Sequence, residues 1–172
     1  MSGMPPIGSE IPRSVLAIGA ELEYNGSTMT LDFRGGIKDR VDVNANDPLN
    51  SVRLRLVGHR ITAEMPDGGT VTLEQNDVDG NAASTLKMTQ KVPPKYELRE
   101  ALDLSLTIES KNGTPVVLST KQSMILIAKD ITQFPTRGDI STLESPVDFI
   151  DPEKPHTVVA RLVTFNAKTG GI

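Results

Sequence analysis

Apolar and polar residues alternate with a period of two along most of this 172-residue chain, and stretches rich in Gly, Pro and Asn interrupt the alternation. Successive side chains of a β-strand point to opposite faces of a sheet, so this pattern predicts strands. Helical periodicity is nearly absent. The sequence therefore predicts an all-β fold of about ten antiparallel strands with almost no helix.

A β-hairpin is predicted around Asn25-Gly26. These two residues suit the positive-φ positions of a type I′ turn, which joins two antiparallel strands through two residues. Closing the hairpin there places every apolar side chain on one face of the sheet. The predicted cross-strand pairs are Leu22 with Met29, Ala20 with Leu31 and Ile18 with Phe33.

The segment 52–73 allows two interpretations. A turn at Gly58-His59 and a loop at Asp67-Gly68-Gly69 would make a three-stranded meander, with Val71 opposite Met65. Alternatively, one long strand with a bulge at Gly58 shifts the apolar face in the same way. Both interpretations stay open at this point.

A long central hairpin is predicted downstream, with one strand over residues 96–109 and a return strand over residues 116–129. The apolar faces of about ten strands must be buried by packing sheet on sheet or by closing the sheet into a barrel. We favour the β-sandwich because it is the more common arrangement, and the closed β-barrel is the alternative. Residues 1–14 are predicted to form an extended N-terminal arm, and residues 15–172 a single all-β domain.

The composition argues against several classes of function. The chain carries 22 acidic and 18 basic residues and a formal net charge of −4, and its basic residues are spread out, so nucleic-acid binding is not expected. The absence of Cys removes disulfides, thiolate catalysis and the usual zinc sites, and we expect no cofactor. Neither a signal peptide nor a membrane span is recognisable, so a cytoplasmic location is expected.

The stretch DVNANDP, residues 42–48, offers oxygen ligands at alternate positions, as calcium loops do. It lacks the Gly at the sixth position and the acid at the twelfth, so a turn capped by its own Asx side chains is the favoured interpretation. His59 and His156 are predicted to be exposed loop histidines. The candidate calcium ligands of the alternative interpretation are Asp42, Asn44 and Asp47, with Asp77 and Asp79 in the similar stretch 76–81.

One acidic residue falls on an apolar face. The alternation that turns Leu98 and Leu102 inward also turns Glu100 inward. A buried carboxylate needs a partner, and burial raises its pKa, as in many general acids. The competing interpretation is a bulge near Arg99-Glu100 that turns the carboxylate to solvent. If the sheet closes into a barrel, this face would line a ligand-binding cavity formed by Tyr96, Glu100, Thr120, Gln122, Leu104 and Met124.

These observations lead to two main functional hypotheses. No catalytic motif occurs in a fitting context, so we favour a non-catalytic protein that acts through protein–protein contacts, as a self-associating, homo-oligomeric subunit of a cytoplasmic assembly. Its strand edges or its arm, residues 1–13, would carry the contacts. The alternative is a small β-barrel that binds an apolar small molecule and acts on it as a cyclase or isomerase, with Glu100 and Tyr96 as candidate catalytic residues. A third hypothesis is calcium-dependent adhesion through the Asp and Asn side chains named above.

Overall fold

The structure, a computed structural model, describes residues 4–76 and 84–171. Within these residues the chain forms thirteen β-strands, and none of it is a helix long and apolar enough to cross a membrane. The all-β class predicted from the alternation is confirmed. The strands are β1 (Glu10–Tyr24), β2 (Ser27–Val43), β3 (Ser51–Glu64), β4 (Thr70–Gln75), β5 (Ser84–Lys91), β6 (Pro94–Leu102), β7 (Leu104–Glu109), β8 (Val116–Thr120), β9 (Met124–Ile131), β10 (Arg137–Leu143), β11 (Val147–Asp151), β12 (Lys154–Thr164) and β13 (Asn166–Gly171).

Five pairs of consecutive strands lie end to end. β4 and β5 both pair with β3, β4 with residues 60–64 and β5 with residues 51–54. β6 then pairs with β5, and β7 pairs with β4. In the same way β8 pairs with β7, and β9 pairs with β6. β10 pairs with β9, and β11 pairs with β8. Finally β12 pairs with β11, and β13 pairs with β10. Each end-to-end pair therefore acts as one long, interrupted strand.

The sheet closes on itself at β1. Residues 21–24 of β1 pair with β12, and residues 13–17 pair with β13. The long strands β1, β2 and β3 and the five end-to-end pairs make eight antiparallel members, each hydrogen-bonded to its neighbours in chain order. This is the pairing of the closed barrel that the sequence left as the alternative to a sandwich. The strand edges that were expected to carry protein contacts are therefore paired within the described part of the chain.

The first hairpin confirms the predicted turn and most of its register. Asn25 and Gly26 have φ values of 53° and 74°, and Leu22 and Ala20 lie opposite Met29 and Leu31. The predicted pairing of Ile18 with Phe33 is wrong. A bulge between Ala17 and Ala20 places Ala17 opposite Phe33 and leaves Ile18 55% exposed. Period-two alternation does not reveal a bulge, because the extra residue only changes which side chains face inward.

The segment 51–64 is one strand, β3, so the turn predicted at Gly58-His59 is wrong and the bulged-strand interpretation is confirmed. β2 residues Lys38 and Asp39 lie opposite Gly58 and Leu56, which leaves Val57 without an opposite residue. The loop after β3 also shifts the predicted register, since Val71 pairs with Ala63 rather than with Met65.

The predicted central hairpin is divided. Its outgoing strand breaks at Asp103 into β6 and β7, and its return strand breaks at residues 121–123 into β8 and β9. The two breaks are joined by a hydrogen bond of 2.7 Å from Ser123 Oγ to Asp103 Oδ1. The long strands thus bend at neighbouring points of the barrel wall.

Three further boundaries differ from the sequence-based expectations. β1 begins at Glu10, so the last five residues of the predicted arm are paired with β2. The final strand β13 was not predicted, because its segment NAKTGG lacks large apolar residues. Arg34-Gly35-Gly36, whose two glycines are typical of a tight turn, lies in the middle of β2.

Side chains inside the barrel form two apolar clusters, with charged residues between them. Asp39 lies between Ile37 of the larger cluster and Val41 of the smaller cluster along β2, and Glu100 is flanked in the same way by Leu102 and Leu98 along β6. Arg13 of β1 lies at the same level. We call Arg13, Asp39 and Glu100 the charged layer. The smaller cluster consists of Val41, Val52, Leu54, Leu86, Tyr96, Leu98, Ala128 and Ile131.

Replacing Gly35 with Ala is expected to destabilise the barrel. A Cβ at this position would collide with the carbonyl oxygen of Arg60 and the Cα of Ile61 on β3. We expect Gly35→Ala to lower the free energy of unfolding by roughly 1–3 kcal/mol, as measured by urea denaturation. Gly58→Ala is the matched control, because its Cβ would meet only the Lys38 Cβ at 3.7 Å. Equal stabilities of the two variants would show that the β2–β3 pair adjusts without cost.

Candidate functional site

The charged layer is held together by one guanidinium group. Arg13 Nη2 donates hydrogen bonds to Asp39 Oδ2 at 2.9 Å and to Glu100 Oε2 at 3.1 Å. The side chains of Arg13, Asp39 and Glu100 are only 0%, 2% and 3% exposed. Because burial of an unpaired carboxylate is costly, this shared cation is what allows two carboxylates to face the inside of the barrel.

Two further residues, Thr169 and Phe134, contact the guanidinium group of Arg13, and Thr136 contacts Thr169. Arg13 Nη1 donates to Thr169 Oγ1 at 3.4 Å, and Thr169 Oγ1 lies 2.6 Å from Thr136 Oγ1. The guanidinium carbon lies 5.1 Å from the centre of the Phe134 ring, within the range of a cation–π interaction. β2, β6 and β13 thus each contribute a side chain that positions the guanidinium of β1, and the segment between β9 and β10 contributes Phe134.

Sequence reasoning placed Glu100 on this face but missed Arg13 and Asp39. Arg13 was assigned to the N-terminal arm, although Arg13, Val15 and Ala17 follow the period-two pattern of one inward face. Asp39 follows Ile37 and precedes Val41 in the same way on β2. Extending the alternation test to charged residues at inward positions would have found both, since buried charges occur in opposite-sign sets.

Two carboxylates share one cation, so the charges in the layer do not balance. Burial raises the pKa of Asp39 to about 6, and the negative charge of Glu100 adds to this shift, whereas Arg13 opposes it. Burial alone would lower the pKa of Arg13, but the charges and hydrogen bonds of Glu100 and Asp39 outweigh it and raise that pKa. The layer can therefore take up or release a proton at Asp39 near neutral pH while Arg13 stays charged.

His59 lies in β3 on the wall of the interior rather than in an exposed loop, so the prediction for this residue is wrong, whereas His156 is exposed as predicted but belongs to β12. Burial lowers the pKa of the His59 imidazole to about 4, against smaller opposing effects of the Glu100 charge and of a hydrogen bond with the backbone of Leu73. The Nδ1 atom is buried and has no hydrogen-bond partner among the residues that the structure describes. A neutral imidazole with an unused ring nitrogen can donate or accept one hydrogen bond, depending on its tautomer.

A small cavity lies beside the charged layer, within the larger cluster. The space open to the centre of a water-sized sphere is about 10 Å³, which is enough for about one water molecule. Its polar wall consists of Glu100, His59 and Thr169. Its apolar wall consists of Val15, Ile37, Ile61, Leu73, Leu102, Leu104, Met124, Leu126, Phe165 and Ala167.

The structure brings together only part of the predicted ligand-binding set. Glu100, Leu104 and Met124 line the cavity. Tyr96 also points inward, but it packs in the smaller cluster on the other side of the charged layer. Thr120, the last residue of β8, and Gln122, which follows it, do not line the cavity. Thr120 Oγ1 accepts a hydrogen bond of 3.3 Å from the backbone N–H of Leu104, and Gln122 is exposed between β8 and β9.

The side chains of two candidate calcium ligands, Asp42 and Asn44, make other contacts. Asp42 Oδ2 accepts a hydrogen bond of 3.1 Å from Arg55 Nε. Asn44 Oδ1 accepts one of 3.2 Å from the backbone N–H of Asn46, as in an Asx turn, and Asn44 Nδ2 donates to Ser51 Oγ at 2.7 Å. The backbone carbonyl of Asp47 accepts from Ser51 Oγ at 3.0 Å. Asp77 and Asp79 lie outside the described residues, and the described ones contain no group of three or more His, Asp or Glu side chains that could hold a metal ion.

Comparison with known proteins identifies one similar fold. No protein-family model matches the chain, and no curated protein sequence matches it. The structure of DynF from the dynemicin biosynthesis pathway of Micromonospora chersina is similar, with a TM-score of 0.78 over 99% of this chain and 84% of that chain. The two sequences are 17% identical, so the likeness concerns the fold.

This likeness corrects the favoured functional hypothesis. A non-catalytic β-sandwich that acts through protein–protein contacts was expected, with its contacts on unpaired edges or an extended arm. The similar structure instead comes from a biosynthetic pathway, and the chain shares its fold over nearly the whole length. The hypothesis of a self-associating assembly subunit is therefore contradicted, and the barrel alternative is favoured.

Removing the shared cation is expected to be strongly destabilising. Arg13→Met leaves Asp39 and Glu100 buried without a partner, so we expect the free energy of unfolding to fall by about 3–5 kcal/mol. Arg99→Met is the control, because Arg99 precedes Glu100 on β6 but lies on the outward face. Its side chain is 47% exposed, and its Nη2 lies 3.9 Å from Glu144 Oε2. Urea denaturation of both variants at neutral pH measures the effect. A loss no larger in Arg13→Met than in Arg99→Met would contradict the assigned role of Arg13.

The pH dependence of stability is expected to carry opposite contributions from Asp39 and His59. The folded state keeps a proton on Asp39 up to a pKa of about 6, whereas the unfolded chain releases it near pH 4, so this group stabilises the fold less as the pH rises across that window. The free energy of unfolding of the wild type, minus that of Asp39→Asn, should therefore fall by roughly 1–3 kcal/mol between pH 4 and 6.

His59 supplies the matched comparison with the opposite sign. Its folded pKa of about 4 lies below the ordinary value of 6.5, so the unfolded chain binds the extra proton between these values. The free energy of unfolding of the wild type, minus that of His59→Gln, should therefore rise as the pH increases from 4 to 6.5. Urea denaturation across this range separates the two groups, and slopes of the same sign would be inconsistent with the burial assigned to them.

Proposed function

We propose that the barrel binds a mostly apolar small molecule in its interior, with a polar group of that molecule against Glu100 and His59. The observation that carries this proposal is the composition of the cavity wall, which is apolar except for three side chains close to a buried charged layer. Small-molecule sites in proteins have this make-up, with apolar walls and a few polar groups that orient the ligand.

The unpartnered ring nitrogen supports the same proposal. Native structures leave very few buried polar atoms without a hydrogen bond, and those that remain need an explanation. His59 Nδ1 is one such atom, and His59 lines the cavity together with Glu100. A bound molecule with one polar group would supply the missing partner.

A ligand larger than one water molecule requires side chains of the wall to move. Met124 is the most adaptable of them, because an unbranched thioether chain changes rotamer more easily than branched aliphatic chains do. Leu102 of β6 lies opposite Met124, and Leu126 lies two residues further along β9. The barrel would therefore open around Met124, and part of the binding free energy would be used for that rearrangement.

The similar fold supports a role in small-molecule metabolism. DynF belongs to the dynemicin biosynthesis pathway, and biosynthetic pathways act on small organic molecules. A second candidate function is catalytic, because Glu100 presents to the cavity a carboxylate that Arg13 holds at 3.1 Å and that could move a proton on the bound molecule. Such a cyclase or isomerase would keep ligand binding in Glu100→Gln and lose turnover. Tyr96 has no part in it, since it lies in the smaller cluster.

Filling the cavity is expected to abolish interior binding. Ala167 lines the cavity and is buried, so Ala167→Leu adds three carbon atoms to the space that a ligand would occupy. We expect the affinity for 1-aminoanthracene, a neutral dye that fluoresces in apolar sites, to fall about tenfold or more, a change of about 1.4 kcal/mol or more. Fluorescence titration of the folded proteins measures it.

Ala128→Leu is the matched control for this experiment. Ala128 is equally buried, but it belongs to the smaller cluster and does not line the cavity. The overpacking should be comparable, whereas the dye affinity should stay within about twofold of the wild type. Equal losses of affinity in the two variants, or no dye binding by the wild type, would remove the support for an interior ligand.

A further inference from the structure

The charged layer carries an excess negative charge when both of its carboxylates are ionised. Arg13 contributes one positive charge, and Asp39 and Glu100 contribute one negative charge each. Among the described residues of the cavity wall, the titratable groups are Glu100 and His59. His59 is neutral near pH 7 because burial lowers its pKa. No group on this wall therefore compensates the excess charge.

One of the two negative members of the layer faces the cavity, and the positive member does not. Glu100 lines the cavity, whereas Arg13 and Asp39 are absent from its described wall. Arg13 Nη2 is shared by both carboxylates, and Nη1 contacts Thr169. Arg13 Nε is buried and has no partner among the described residues, but it is away from this wall. The described wall of the cavity therefore contains one acidic side chain and one imidazole side chain but no Lys or Arg side chain.

We infer that the polar group of the interior ligand is a hydrogen-bond donor, a hydroxyl or an amine, and that a carboxylate in the same place is rejected. A hydroxyl or amine can donate to Glu100 and satisfy a polar group that is already buried. A ligand carboxylate would add a second uncompensated negative charge where the effective dielectric constant is low, next to the first. This inference rests on the proposed function and names the chemical class of the ligand.

A set of three probes with one apolar body tests the inference. 4-Phenylbutan-1-ol, 4-phenylbutylamine and 5-phenylpentanoate each carry a phenyl ring and four methylene groups, and they differ only in their polar end. Each would be used at neutral pH to displace 1-aminoanthracene from the wild-type protein. We expect the alcohol and the amine to bind about tenfold or more tightly than the carboxylate, which corresponds to about 1.4 kcal/mol or more.

Variants of the charged layer test the cause of this preference. Glu100→Gln and Asp39→Asn each remove one negative charge and leave Arg13 with one carboxylate partner, so each should reduce the preference to about threefold or less. Two variants are used so that a folding defect in one does not decide the outcome. Glu144→Gln is the control, because Glu144 is 50% exposed on the outside of the barrel and should leave the preference unchanged.

The outcomes separate this inference from the function on which it rests. If the carboxylate probe binds with an affinity equal to or higher than that of the alcohol probe, the inference is overturned and the interior site is left intact. A preference that stays the same in both Glu100→Gln and Asp39→Asn also overturns it, because the carboxylates would then not be its cause. Dye binding that Ala167→Leu leaves unchanged overturns the interior site itself, and the inference with it.

Discussion

The inner wall of this barrel depends on the placement of one guanidinium group between two carboxylates. Arg13, Asp39 and Glu100 come from three different strands, and the two ion pairs of 2.9 and 3.1 Å join these strands across the interior. Without Arg13, two carboxylates would face an apolar core with no cation in contact. This layer separates the larger apolar cluster from the smaller one along the barrel.

Closure of the sheet places the layer inside the protein. β1 pairs with β12 near its C-terminal end and with β13 near its N-terminal end, and Arg13 lies in the part that pairs with β13. The same β13 segment supplies Thr169, which accepts a hydrogen bond from Arg13, and Ala167, which lines the cavity. The strand that closes the barrel therefore also builds one side of the candidate site, so fold and site cannot be separated here.

The sequence predicted those features that follow from local alternation. It identified the all-β class, the Asn25-Gly26 turn and the inward position of Glu100, because each depends on neighbouring residues only. It did not predict the bulge at Ile18, since one extra residue changes the inward face without changing the composition of the strand. Arg13 was missed for another reason: it was assigned to the N-terminal arm, so its inward position was not compared with those of its two partners, 26 and 87 residues away.

The charged layer is difficult to explain by stability alone. A buried set of ion pairs is seldom worth more than a well-packed apolar replacement, because desolvation of the charges offsets most of their attraction. In this layer the offset is larger, since two carboxylates share one cation and the pKa of Asp39 is raised by burial. Residues that break the apolar pattern of a core at a cost in stability are typical of functional sites. The position of Glu100 and His59 on the wall of the adjacent cavity therefore supports the proposal that this costly arrangement recognises a ligand.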